Sequence, residues 1–176
     1  MTTSRDSSVA VIADTHMPKG GRRLPPSCVE ALLNAKATIH AGDFSDVSVL
    51  AAIESLCPTV HAVHGNVDSP TLRRRLPEVL RVRFGEKTVA VVHDAGPARG
   101  RLRRLRARFP DADAVVFAHS HLPFHERDGD FQIFNPGSPT ERRRAPRRSM
   151  GLLRCAAGEL AFEHIWLDGP TPAAHA

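Results

Sequence analysis

The chain has 176 residues, 41% of them hydrophobic and 24% charged, a size and balance expected of a single soluble globular domain spanning 1–176. Its formal net charge is +5, carried almost wholly by arginine, which suits anionic ligands such as phosphates or nucleic acid. One Trp and no Tyr argue against a base-stacking platform, and three scattered cysteines with no CxxC (Cys28, Cys57, Cys155) argue against a disulfide framework or a cysteine zinc knuckle.

In chain order, "SVAVIA" reads as a short buried strand. "PPSCVEALLNA" reads as a helix with Pro25 and Pro26 at its start and Val29, Leu32 and Leu33 on one face. "ATIHA" is a strand. "SDVSVLAAIESL" is a helix with Ser45 or Asp46 as N-cap and Val49, Leu50, Ile53 and Leu56 as its apolar stripe. "TVHAV" completes a β-α-β-α-β series, which calls for a parallel sheet with right-handed crossovers.

Strands dominate the second half. "EVLRVRF" and "KTVAVVH" form a hairpin at Gly85-Glu86. "ARGRLRRLRARF" is a helix with Leu102, Leu105 and Phe109 on one face. "DAVVFA" is a strand, "FHERDGDFQIF" a pair of strands about Asp128-Gly129, and "SMGLLRCAAGELAFEHIWL" another pair about Ala157-Gly158. These later strands are expected to build a second sheet. About 1–7 and 168–176 read as disordered tails. No segment reaches the ~18 apolar residues of a membrane span, and the N-terminal stretch lacks the apolar run of a secretion signal, so a cytoplasmic protein with no membrane partner is expected.

The chemistry collects at strand ends. "VAVIA" is followed by Asp14-Thr15-His16 and "TIHA" by Gly42-Asp43. "TVHAV" runs into His64-Gly65-Asn66, "TVAVV" into His93-Asp94, and "AVVFA" into His119-Ser120-His121. In open α/β sheets the C-terminal strand edge is where ligands bind. Asp14, His16, Asp43, Asn66, His93, His119 and His121 form a nitrogen and oxygen donor set without sulfur, the set that hard or borderline divalent ions prefer. Seven donors exceed one tetrahedral site and suit two ions sharing a carboxylate. In Asp14-x-His16 and His119-x-His121 an extended backbone would point both side chains the same way. The other histidines at issue, His40, His61, His64 and His125, are left outside this donor set.

The ordered set D-T-H, G-D, G-N-V-D, His93, A-H-S-H and N-P-G-S (Asn135 to Ser138) resembles the calcineurin-like metallophosphoesterase superfamily, in particular its small bacterial and archaeal phosphodiesterases of the YfcE type. The resemblance runs from about Val9 to Ser138. It implies an α/β fold, a four-layer α/β/β/α sandwich of two mixed sheets flanked by helices. It implies that Asp14, His16 and His121 hold one metal, that Asn66, His93 and His119 hold the other, and that Asp43 bridges them. Asp43, Asn66 and His93 then act with a metal-bridging hydroxide in hydrolysing phosphate esters. Two divalent ions are implied, Mn²⁺ first, with Fe²⁺, Zn²⁺ or Ni²⁺ as alternatives.

Departures from the family pattern are few. Many relatives carry His after the Asn, where it helps protonate the leaving group; Val67 stands there in this chain and has no proton to give. Ala118 replaces Gly, Ser120 replaces Thr, and Asp94 follows His93 where Gly is common. Asp94 would either lower the local potential or hold His93 by a hydrogen bond. Asp68, closing G-N-V-D, is expected to fix its loop through backbone N–H groups.

Six arginines lie between Arg99 and Arg108, and "ERRRAPRR" adds more beside N-P-G-S. Arg142, Arg143 and Arg144 are the candidate substrate contacts, through bidentate grips on phosphate. The expected partner is a small phosphodiester or other phosphate ester, with nucleic acid as an alternative partner. Two other function classes stay open: a non-catalytic scaffold on the same fold, and a phosphomonoesterase or nuclease variant. Oligomeric state is not readable.

Overall fold

A computed structural model describes residues 6–57 and 59–168. Five strands form the first sheet: β1 (Asp6–Ile12), β2 (Ala35–His40), β3 (Val60–Ala62), β9 (Ser149–Ala156) and β10 (Glu159–Trp166), in the order β10-β9-β1-β2-β3. The second sheet holds β4 (Val79–Phe84), β5 (Lys87–Val92), β6 (Ala114–Val116), β7 (Phe124–Asp128) and β8 (Phe131–Asn135), in the order β4-β5-β6-β8-β7. Both sheets are mixed. In the first, β1, β2 and β3 run parallel and β9 pairs antiparallel with β1; in the second, β5, β6 and β8 are parallel and β4 and β7 antiparallel edges.

The layering follows from strand alternation. Along β1, Val9 and Val11 enter the core between the sheets, while Ala10 and Ile12 face a second core under the helices. Along β5, Val89 and Val91 join the inter-sheet core, and Ala90 and Val92 join a third core. Such strands are apolar on both faces because both faces are covered. Each fully buried Val or Ile contributes ~1.5–3 kcal/mol of transfer free energy. Helices α1 (Pro26–Asn34), α2 (Val47–Leu56) and α3 (Pro70–Arg75) cover the first sheet through Cys28, Leu32, Val49, Leu50, Ile53 and Leu72. Helix α4 (Arg101–Arg108) covers the second through Leu102 and Leu105, with Phe109 just beyond its end. The result is the four-layer α/β/β/α sandwich.

Several expectations need correction. The last hairpin does not join the second sheet. It returns to the first, because Met150 packs under the helices while Leu153, Leu160 and Phe162 fill the inter-sheet core. Gly151 permits that return, since a Cβ there would stand 2.4 Å from the Phe134 ring of the opposite sheet. In α1, Cys28 and Leu32 are the buried pair one turn apart, and Leu33 is 47% exposed. Of the two candidate caps for α2, Asp46 serves, accepting from Ser48 N at 2.9 Å. Helix α3 was not anticipated, although Ser69-Pro70 carries its cap and first-turn proline.

Of the expected tails, residues 1–5 and 169–176 lie outside the described residues. Asp6 and Ser7 belong to β1, and Asp168 accepts from Arg148 N and Nε at 2.8 and 2.7 Å. Among the described residues no helix is long and apolar enough to cross a membrane.

Candidate metal centre

Five strands deliver the candidate ligands to one rim. Asp14 and His16 follow β1, Asp43 follows β2, Asn66 follows β3, His93 follows β5, and His119 and His121 follow β6. Asp14, His16 and His121 bring donor atoms within 4.8 Å of one another, and Asp43, His93 and His119 form a second such group. Within the first, His16 Nε2 stands 3.1 Å from His121 Nε2, and His121 Nε2 is 3.7 Å from Asp14 Oδ1. In the second, Asn66 Oδ1 lies 3.0 Å from both His93 Nε2 and His119 Nδ1. Asp43 stands between the groups, its Oδ2 3.3 Å from His93 Nε2 and 3.7 Å from His16 Nε2.

This geometry fits divalent cations. Both carboxylate oxygens of Asp14 and Nδ1 of His121 are buried without a hydrogen-bond partner. A buried carboxylate left unpaired is costly, and burial pushes the Asp14 pKa up to about 7. A cation removes that cost. Burial likewise lowers His121 to about 4, helped by the nearby Arg143 and His16 charges, so its imidazole is neutral and ready to ligate. At Asp43 burial acts upward, but the hydrogen bond and charge of His93 and the Val67 N–H together hold it at about 2. His93 donates from Nδ1 to the Ala41 carbonyl at 2.8 Å, which aims Nε2 at Asp43 and Asn66. Burial works against a proton on His93, yet the hydrogen bond to Asp43 and the Asp14 charge raise its pKa overall. Nε2 therefore meets those oxygens as a protonated donor or through a cation.

The backbone that presents these groups is not extended, contrary to the sequence expectation. Asp14, His16, Asp43, His119 and His121 have φ of 52°, 44°, 62°, 70° and 59°. Left-handed non-glycine residues are uncommon and cluster at functional sites. Convergence comes from tight turns after the strands, braced by main-chain bonds such as Asp14 N to Gly42 O and His16 N to Asp43 O, both 3.0 Å. Gly65 lies so close that a Cβ there would be 2.0 Å from Asp43 Oδ1.

A shell of polar groups holds the turns. Asp68 accepts from Asp43 N (3.1 Å), Ser45 N (2.8 Å) and Gly65 N (2.7 Å), joining two ligand loops. Arg73 donates from Nε to Asp68 O at 3.1 Å and from its guanidinium to Asn66 O. In N-P-G-S, Asn135 donates to Ala118 O and Ser120 Oγ, and Ser138 Oγ donates to Asp14 O at 2.8 Å. His40 is fully buried; its Nδ1 accepts from Gly42 N, so its Nε2 carries the proton facing Thr15 Oγ1 at 3.2 Å.

Other sequence candidates fall in different places. Asp94 is exposed and accepts from Gly96 N at 2.7 Å, so it does not hold His93. Arg143 lines a cleft beside His16, whereas Arg142 reaches Pro146 O at 3.4 Å and Arg144 is exposed. His64 lies outside both ligand groups and lines a cleft beside Asn66. Sequence reasoning missed Arg73, Lys19, Arg22 and Glu141. Glu141 Oε2 stands 3.6 Å from His121 Nδ1, and Arg22 pairs with Glu141 at 3.0 Å. Only the position of Glu141 directly after the N-P-G-S-P-T run could have signalled it.

Known proteins share this architecture. A family model described as the calcineurin-like phosphoesterase superfamily domain matches residues 8–158. A probable metallophosphoesterase from Methanothermobacter thermautotrophicus is 33% identical over 168 residues, 92% of this chain and 94% of its own. Vps29 from Entamoeba histolytica, solved in complex with Zn²⁺, matches with a TM-score of 0.72 at 21% identity, covering 92% of this chain and 99% of that one. A predicted phosphoesterase from Streptococcus pneumoniae matches with a TM-score of 0.65 at 19% identity, covering 95% and 93%. The last two likenesses are of fold.

Proposed function

The chain belongs to the calcineurin-like phosphoesterase superfamily, and from that premise we propose that it is a dinuclear metal-dependent phosphodiesterase acting on small phosphate esters. The observation that carries this reading is the convergence of seven nitrogen and oxygen donors from five strands into two groups with Asp43 between them. Asp14, His16 and His121 would hold one divalent ion, and Asn66, His93 and His119 the other, with Asp43 shared. When bound, such a pair supplies Lewis-acid polarisation of the phosphate and lowers the pKa of a water to near neutrality.

The chain's own groups do the rest. Asp43 Oδ1 is committed to the Val67 N–H at 3.0 Å, which turns Oδ2 toward the imidazoles of both groups. Asp14, His16, His93 and His121 are buried, while Asn66 and His119 are exposed at the rim, so an ester approaches from their side. Two clefts flank the centre, one beside His16 and one beside Asn66 and His93, giving room for both arms of a diester. Val67 offers no proton to the leaving oxygen, which favours esters of acidic alcohols. The mixed imidazole and carboxylate set accepts Mn²⁺, Fe²⁺, Zn²⁺ or Ni²⁺, and Mn²⁺ is put first on the family resemblance.

The test is hydrolysis of bis(p-nitrophenyl) phosphate and p-nitrophenyl phosphate with Mn²⁺, with and without chelator. Mn²⁺-dependent turnover favouring the diester is expected. Absence of turnover on both esters with two ions bound would instead point to a binding role on this fold.

A further inference from the structure

The two clefts beside the centre differ in charge. The first, about 350 Å³, is lined by Lys19, Arg22, Glu141, Arg143 and Val67 together with His16, and carries two positive charges in excess. The second, about 320 Å³, sets Arg73 and Arg108 against Glu78 and Asp94, and is balanced. Both fall in the range of small-ligand sites, roughly 300–1,000 Å³.

The cations of the first cleft keep donors to spare. Glu141 is held between Arg22 at 3.0 Å and Arg143 at 3.4 Å, so its charge is already answered. Arg143 spends only Nε on that pair, which leaves both terminal amino groups free among the described contacts. The Lys19 ammonium has no ion-pair partner among the described residues, and its own carbonyl anchors Arg22 Nη1 at 2.8 Å. A planar guanidinium with two free N–H₂ groups beside an ammonium is the arrangement that grips a phosphate or carboxylate.

We propose that this cleft binds a second anionic group carried on one arm of the substrate, so that the ester hydrolysed bears two anionic centres; this rests on the phosphoesterase reading above. The other arm, in the balanced cleft, is neutral. A nucleic acid strand suits the site less well. No Phe or Trp lines either cleft, so bases find no stacking platform. A polyanion crossing both clefts would also meet no net attraction in the second.

The test compares the p-nitrophenyl ester of thymidine 5′-phosphate with the same ester bearing a 3′-phosphate, using the Mn²⁺-loaded full chain. Leaving group and metal chemistry are identical in the pair. The doubly anionic ester is expected to show kcat/KM about tenfold higher, mainly through KM, the size of one good charge-assisted hydrogen bond. That ratio should fall to within about twofold in Lys19→Gln and in Arg143→Gln, and at high salt. Because the ratio is taken within each variant, partial loss of folded protein cancels. Equal kcat/KM for the two esters, or a ratio unchanged in both variants, would overturn the proposal. If neither ester is turned over, the hydrolase reading fails separately, and calorimetry then decides this one. Tighter binding of thymidine 3′,5′-bisphosphate than of thymidine 5′-phosphate, abolished in both variants, would sustain it; equal binding would end it.

Discussion

Asp43 and His93 are joined at 3.3 Å between Oδ2 and Nε2, while the imidazole's other nitrogen donates to Ala41 O at 2.8 Å. The pair fixes the orientation of one carboxylate and one imidazole that follow strands of opposite sheets. Asp43→Asn keeps the shape but replaces an anion by a neutral amide facing His16 and His93. Two cations then lose the charge that offsets their repulsion. Turnover of bis(p-nitrophenyl) phosphate should fall at least ~100-fold, and metal analysis should read about one ion per chain. Two retained ions with near-normal turnover would remove Asp43 from the bridging role.

The pH dependence of metal binding follows from Asp14. Its pKa is about 7 in the folded chain against 3.8 for an unperturbed Asp carboxyl, so between those values the folded state holds a proton the unfolded state has lost. For this group stability is therefore fully present below about pH 4 and declines as pH rises through 7. His121, depressed to about 4, works in the opposite sense: its contribution is present above 6.5 and lost as pH falls through 4. Above pH 5, then, His121 is already neutral, and Asp14 together with His93, whose pKa is raised by its hydrogen bond to Asp43 and the Asp14 charge, must still lose a proton before a cation binds. The rise in Tm produced by saturating Mn²⁺ should grow from pH 5 to pH 8. A rise that stays constant across that range would contradict the protonated Asp14.

How much of this was legible in the chain depended on the kind of signal. Val9 to Ile12 and Val89 to Val92 announce doubly covered strands because every residue is apolar, and Asp14, past Ala13 after the first, and His93, directly after the second, mark the ligand rim. The last hairpin carried no such address: its own alternation is the same whichever sheet it joins, and Gly151 against Phe134 is a tertiary fact. The turns at Asp14 and His119 depart from the extended reading because residue type outside glycine only biases the sign of φ: Asp and His are enriched in the left-handed region without being committed to it. Lys19 and Arg22 lie over a hundred residues from Arg143, and no local spacing links the two segments.

Asp68 offers a stability test independent of catalysis. Its Oδ2 accepts two backbone N–H groups and its Oδ1 a third, all from ligand loops. Asp68→Asn must turn an N–H₂ group toward one of those donors. Hydrogen bonds to a charged group are worth roughly 1.5–3 kcal/mol each, and one or two are lost. Chemical denaturation should show a loss of about 2–4 kcal/mol on that basis. An unchanged midpoint would show that solvent takes over the role of the carboxylate.

Arg73 tests whether the Asn66 loop is held from outside. Asn66 is exposed, so burial does not fix its carbonyl oxygen; the Arg73 guanidinium does, while its Nε grips Asp68 O at 3.1 Å. Arg73→Ala frees the loop without touching Asp14, His16 or His121. Groups that orient a ligand typically cost ~10–100-fold in metal affinity when removed. A two-step Mn²⁺ isotherm should therefore keep one step and weaken the other by that factor. Arg73→Lys should not restore it, because one ammonium cannot reproduce the two-point grip of a planar fork. Equal weakening of both steps would mean that Arg73 acts on the whole rim through general electrostatics, and no change in either would leave Asn66 held by its own turn.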